Sequence, residues 1–144
     1  MKKLSYPAVA VIVIGALALL LVVVANFPRG DPWQIGFKSS AGRIEISIRQ
    51  EGLKIHDVFI KTDAPAPVGF KDVEVVVSRR VQLPIGTVKH CDVTRLPGHF
   101  SFTIGTHTID LIPVALGIDG NEVLWKDAMA QVIDLSQSRD TNPQ

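Results

Sequence analysis

The sequence predicts an all-β domain, a small antiparallel sandwich or barrel with a short C-terminal helix, preceded by one N-terminal transmembrane helix. Three observations carry that prediction. Residues 8–25 are apolar without interruption except at Gly15. Val, Ile and Thr, which pack well on a pleated surface, supply 31 of the residues from 26 to 144. Within that part of the chain apolar positions recur with a period of two, the signature of half-buried strands.

The apolar segment comes first. Its 18 residues would form a helix about 27 Å long, close to the hydrocarbon thickness of a bilayer. Lys2 and Lys3 precede it, and Arg29, beside Asp31, is the only nearby cation after it. The positive-inside rule then places the N-terminus in the cytoplasm and the rest of the chain outside, periplasmic or extracellular. Tyr6 suits the first interface, and Phe27 and Trp33 suit the second. A cleaved signal peptide is the competing reading, with Val23 and Ala25 as the small residues before the cut. The length of the apolar stretch and Pro28 just behind it weigh against cleavage. The segment has no Gly-xxx-Gly pair for tight helix dimerisation and no ionisable residue for an ion path.

The organisation that follows is an anchor over residues 1–25, a Pro- and Gly-rich linker over 26–32, a β-domain over 33–135 and a polar tail over 136–144, expected to be disordered. The chain has 144 residues, enough for one domain. Its net charge is +1, and −1 without Lys2 and Lys3. That balance excludes the plain electrostatic signature of a nucleic-acid binder. With one cysteine, Cys91, an internal disulfide is impossible, so the domain must be stable on its core alone.

Along the domain, Ile44, Ile46 and Ile48 alternate with Glu45, Ser47 and Arg49, which gives a strand over 43–50. Glu51-Gly52 offers a turn, and 53–61 returns, with Ile48 opposite Ile55 and Ile44 opposite Phe59 in the simplest register. That register sets Arg49 against Lys54, so a bulge or a one-residue shift is the alternative. Residues 64–69, with Pro65 and Pro67, form a loop. Residues 72–83 read as a long strand broken by Arg79, and 87–94 as another. Gly105-Thr106 supplies a two-residue turn with glycine first, pairing Ile104 with His107, Phe102 with Ile109 and Phe100 with Leu111. Residues 108–118 read as one central strand. Asp119-Gly120 turns it into a hairpin that pairs Leu116 with Val123 and Val114 with Trp125. Ala128, Met129, Val132, Ile133 and Leu135 switch to helical spacing behind Asp127 as N-cap. The sum is a meander of about eight strands with a short helix.

Chemistry is hard to find. His56, His90, His99 and His107 lack Cys-x-x-Cys or His-x-x-x-His spacing. The hairpin puts His99 and His107 roughly 17 Å apart along the strands and on opposite faces. His90 and Cys91, as strand neighbours, diverge. Ser101 and Asp110 face each other across the hairpin on the side shared with His99, but a regular strand surface offers no oxyanion hole. There is no nucleophile elbow and no phosphate-cradling glycine loop. Trp125 is expected in the core. Arg79 and Arg80, with Lys89 and His90, form the one candidate interaction patch, if strands 72–83 and 87–94 pair; a charged edge that resists strand addition explains them equally well.

The function expected is a single-pass, membrane-anchored, extracytoplasmic β-domain. It would act as an interaction, accessory or assembly module without catalysis or cofactor. Its partners would be the lipid bilayer, through residues 8–25, and a membrane or envelope protein, with no nucleic acid. One alternative is a module for a small ligand or anion, which needs an apolar pocket with a few convergent polar groups. The other is a hydrolase whose site would gather His99, Asp110 or His90.

Overall fold

The structure, a computed structural model, describes residues 14–16, 18–19, 30–78, 81–92 and 97–137. Residues 14–16 and 18–19 are helical. The rest of the apolar segment 8–25 lies outside the described residues, as do Arg79, Arg80 and residues 138–144. Among the described residues, no helix is long and apolar enough to cross a membrane.

From Trp33 on, the chain is mostly strand. β1 (Gln34–Ser40), β2 (Arg43–Gln50), β3 (Ile55–Pro65) and β4 (Val73–Val76) belong to one sheet. β5 (Thr87–Cys91), β6 (Phe100–Ile104), β7 (His107–Ile112), β8 (Ala115–Ile118) and β9 (Asn121–Leu124) make a second. A single helical turn, α1 (Trp125–Ala128), then leads to β10 (Ile133–Asp134), which returns to the first sheet. The strand orders are β10-β3-β2-β1-β4 and β5-β6-β7-β8-β9. Two separate sheets make this a sandwich rather than a closed barrel. All pairings are antiparallel except β10 with β3.

The period-two pattern builds the core directly. Ile35 and Phe37, Ile44, Ile46 and Ile48, and Val58 and Ile60 turn inward from the first sheet. Phe100, Phe102, Ile104, Ile109, Leu111, Leu116 and Ile118 meet them from the second, in one continuous buried cluster. Phe37 and Phe102 touch edge to face across the interface, with ring centroids 6.3 Å apart. The Gly105-Thr106 hairpin has the predicted register throughout, and Leu116 pairs with Val123 as expected. Gly105 sits at φ 58°, where an L side chain is strained.

Several elements depart from the sequence reading. The strand β1, with Ile35 and Phe37 alternating against Gln34 and Lys38, turns at Ala41-Gly42 and covers β2. The β2–β3 register places Ile48 opposite Val58 and Gln50 opposite Ile55, not Ile48 opposite Ile55. A four-residue turn over 51–54 and a bulge with Asp57 at φ 47° take up the difference, and Arg49 pairs with Asp57 at 2.9 Å instead of opposing Lys54. The strand expected over 72–83 is only Val73–Val76, and 87–94 only Thr87–Cys91. The single strand expected over 108–118 is a hairpin: Pro113-Val114 turns, and Ile112 pairs with Ala115. Proline at the first turn position presets φ and cannot serve a central ladder. The helix comes earlier than expected, at Trp125–Ala128, and Ile133, placed in it by the spacing, belongs to β10. Among the described residues the strands number ten rather than about eight.

The sandwich has two distinguishable ends. At one, the base, Trp33 donates its indole N–H to the Gly98 carbonyl at 2.8 Å, and Trp125 donates to the Ile112 carbonyl at 2.8 Å. Gln50, fully buried, donates its amide to the Asp31 carbonyl and accepts from the Leu53 N–H at 3.1 Å, tying the incoming chain to the β2–β3 turn. At the far end lie the Ala41-Gly42, Gly105-Thr106 and Asp119-Gly120 turns. Because Phe102 is completely buried between the sheets, Phe102→Ala is expected to lower unfolding free energy by about 3–5 kcal/mol. Val68→Ala, in a fully exposed loop, is expected to change it by less than about 0.5 kcal/mol. Urea denaturation of the two variants measures both.

Candidate functional site

Polar side chains converge in three places. The first contains half of the predicted patch. Lys89 is the extra residue of a bulge between Val88 and His90, and its ammonium donates to Thr108 Oγ1 at 3.0 Å. His90 pairs with Ser101 in the ladder, and its ring lies 5.2 Å from that of His99. Lys89 and His90 therefore both reach onto the outer face of the second sheet, while Arg79 and Arg80 lie outside the described residues. Cys91 pairs with Phe100 and turns the opposite way from His90, as strand neighbours must. Partial burial, helped by Asp92, pushes its thiol up, and it donates weakly to the Ser78 carbonyl. A raised thiol is a poor nucleophile.

Beside His90, His99 Nε2 lies 3.3 Å from Asp110 Oδ1, and Ser101 opposes Asp110 as the hairpin predicts. Glycine at 117 makes room for this carboxylate: a Cβ there would stand 2.8 Å from Asp110 Cβ. Ser101 is buried and forms no hydrogen bond with His99. The three residues thus share a face without a serine–imidazole contact to activate a nucleophile. Among the described residues, no group of three His, Cys, Asp or Glu side chains is arranged to hold a metal ion.

The second place is the far end between the sheets. His107 is buried, with Nδ1 2.6 Å from Asp119 Oδ2 and Nε2 3.7 Å from Asp63 Oδ1. Asp63 belongs to β3, so the imidazole bridges the two sheets. His99 and His107 thus lie on opposite faces of the hairpin, as the alternation requires. Partial burial would raise the Asp119 carboxyl. The His107 hydrogen bond, the Thr108 N–H at 2.8 Å and the charges of His107 and Lys89 outweigh it and hold the group below its ordinary value. A carboxylate only accepts, so Nδ1 carries the proton in this contact. The sequence gives Asp119 only as a turn residue. Its role depends on a partner twelve positions away.

The third place is a cleft of about 380 Å³ at the Ala41-Gly42 end of the first sheet. It is lined by Arg43, Glu45, Lys61, Thr62, Ser40 and Ser136, among others. Glu45 and Lys61 are cross-strand partners. Asp134 stands close by: hydrogen bonds from Ser136, then the charges of Lys61 and Arg43, hold its carboxyl low. Sequence reasoning missed this cleft. Strand alternation does place Arg43 and Glu45 outward, but nothing local predicts that Ser136 returns to them through a parallel strand. The space between the sheets is filled by side chains, so the apolar pocket expected there for a small ligand is not found among the described residues. Trp125 is core, as expected, but it stacks on Trp33 at 5.4 Å rather than on Val114, which is exposed.

The Asp119 contact has a pH signature. A carboxyl held below its unfolded value of about 3.9 adds stability above that pH and loses it as pH falls through the lower folded value. Asp119→Asn is therefore expected to be less stable than the parent near neutral pH, with the gap closing on acidification below about pH 4. Urea midpoints measured across that range test this; a constant gap would rule out the linkage. Compared with known protein families, curated proteins and solved structures, the chain matches none.

Proposed function

We propose that the chain is a single-pass, membrane-anchored protein whose β-sandwich lies outside the cytoplasm. In this reading it acts as an interaction or assembly module rather than as an enzyme. The observation that carries the reading is the joint between the two parts. An 18-residue apolar run ends at Ala25, and five residues later Gly30-Asp31 meets the base of a sandwich, where buried Gln50 binds the Asp31 carbonyl. A tether so short holds the domain near the bilayer, and tethering raises its effective concentration toward other membrane proteins. The lysines ahead of the run support the outward orientation. His90, His99 and Asp110 do gather on one face, but the missing serine–imidazole contact supports a non-catalytic role.

A second reading is favoured by one observation. The cleft between Arg43 and Lys61 has the volume of a small-ligand pocket and brings two cations and three hydroxyls to one place. Glu45 and Asp134 stand beside them, so the ligand would be a small anion that also offers hydrogen-bond donors.

Extraction at alkaline pH tests the anchor: the full chain is expected to stay with membranes, with its N-terminus intact by mass spectrometry. A soluble product starting after Ala25 would replace the anchor with a cleaved signal. Solubilisation in mild detergent is expected to yield a reproducible membrane-protein partner, and a partner-free monomer would overturn the assembly role. For the cleft, calorimetric titration with phosphate and small hydroxy acids is expected to give heat that Arg43→Glu abolishes.

A further inference from the structure

The base of the sandwich gathers exposed apolar side chains, beyond those such as Phe59, Val68 and Val88 that are exposed elsewhere. Both outer sheet faces are charged: Arg43, Glu45, Arg49, Asp57 and Lys61 on the first, Lys89, Asp110 and Glu122 on the second. At the base, the Pro113-Val114 turn leaves Val114 72% exposed, and Leu124, next to its partner Ala115, is 52% exposed. α1 then crosses the base from β9 toward β3, where Met129, 39% exposed, accepts the His56 N–H through its sulfur at 3.4 Å. Three large apolar side chains from three elements thus stand out at one end of the molecule, around the buried Trp33–Trp125 pair.

That end is also where the chain arrives. From Ala25 to Gly30 an extended chain spans at most about 17 Å. β3 alone, with eleven residues, runs roughly 36 Å from base to far end. An anchor over residues 8–25 therefore lets the base touch the bilayer and holds the far-end turns well clear of it.

We infer that the base is a lipid-contacting surface: Val114, Leu124 and Met129 rest in the headgroup region and hold the sandwich upright on its membrane. This rests on the anchored reading above. Among the described residues the base carries Asp31, Glu51, Asp92 and Asp127 against Lys54 and Lys126, which gives no positive excess to attract anionic lipid. The contact is apolar, and zwitterionic lipid suffices for it.

The test uses the full chain, with Cys91→Ser, reconstituted in phosphatidylcholine vesicles containing a nitroxide-labelled lipid. An environment-sensitive fluorophore is attached through Val114→Cys, Leu124→Cys or, as the far-end control, Val68→Cys. Val68 is fully exposed in the loop after β3. Quenching is expected to be several-fold stronger at positions 114 and 124 than at 68, and to change little when phosphatidylglycerol replaces part of the lipid or salt is raised. Equal quenching at all three positions, with the chain still floating with the vesicles, overturns the lipid contact and leaves the anchor standing. In that case the apolar base is left for a protein partner. A chain that does not float with the vesicles overturns both. Strong quenching that salt abolishes overturns the apolar contact in favour of an electrostatic one.

Discussion

Two indole N–H groups govern how the sheets meet. Trp33 opens the first sheet and spends its one donor on Gly98, just ahead of β6. Trp125 closes the second sheet and spends its donor on Ile112, at the end of β7. Both rings are buried, and a buried donor left unpaired costs roughly 1–3 kcal/mol. The Trp33 bond crosses from the first sheet to the second, and the Trp125 bond, within the second, fixes the ring that Trp33 meets at 5.4 Å. The start of β1, the approach to β6, the turn after β7 and α1 are thereby gathered at one end. The inward isoleucine and phenylalanine rows supply most of the burial energy, but such rows tolerate sliding. The Trp33 bond at the base adds a directional constraint between the sheets that the rows lack.

The far end is closed by different chemistry. There the sheets are joined through an imidazole between two carboxylates, His107 with Asp119 and Asp63, in a partly solvated setting. The base is held by neutral donors that do not titrate, and the far end by groups that do. Protonation of Asp119, whose carboxyl is held low by His107 and the Thr108 N–H, therefore acts at the far end and not on the indole bonds of the base. The Arg43–Lys61 cleft lies at that same end, away from any lipid surface the base would touch.

The hairpins with turn glycines were legible in the sequence because their signals are local. Gly105-Thr106 and Asp119-Gly120 each fix a register within a few residues, and the alternating apolar residues fix which face is buried. Pro113-Val114 was hidden inside an apolar run, although a proline there already argued against one continuous central strand. The simplest β2–β3 register failed, and the bulge that the Arg49–Lys54 clash raised as its alternative is present at Asp57, although the hydrophobic pattern alone leaves no mark of it. The helix was misplaced because Val132, Ile133 and Leu135 satisfy helical spacing and strand pairing equally well over so few residues. The contacts of Gln50 and His107 are long-range, as is the place of Ser136 beside Arg43 and Lys61. Each looks like an ordinary polar residue until a partner twelve or more positions away is brought to it. Among the residues of the candidate patch, the bulge at Lys89, which sends it toward Thr108, is likewise invisible to alternation alone.

The place of β10 has a consequence in time. β1 to β4 are synthesised before any strand of the second sheet, yet the first sheet is completed only by Ile133 and Asp134, beside Ile60 and Lys61. Until then the inner face of β1–β3, with its rows of isoleucine, has no second sheet to cover it, and the long edge of β3 is open. Pairings that distant in sequence are slow to form, and an uncovered face is prone to association while it waits. The chain therefore finishes folding only when nearly all of it has emerged. Early removal of Ile133 and Asp134 would therefore leave the β3 edge open for the whole life of the chain, not only during its synthesis.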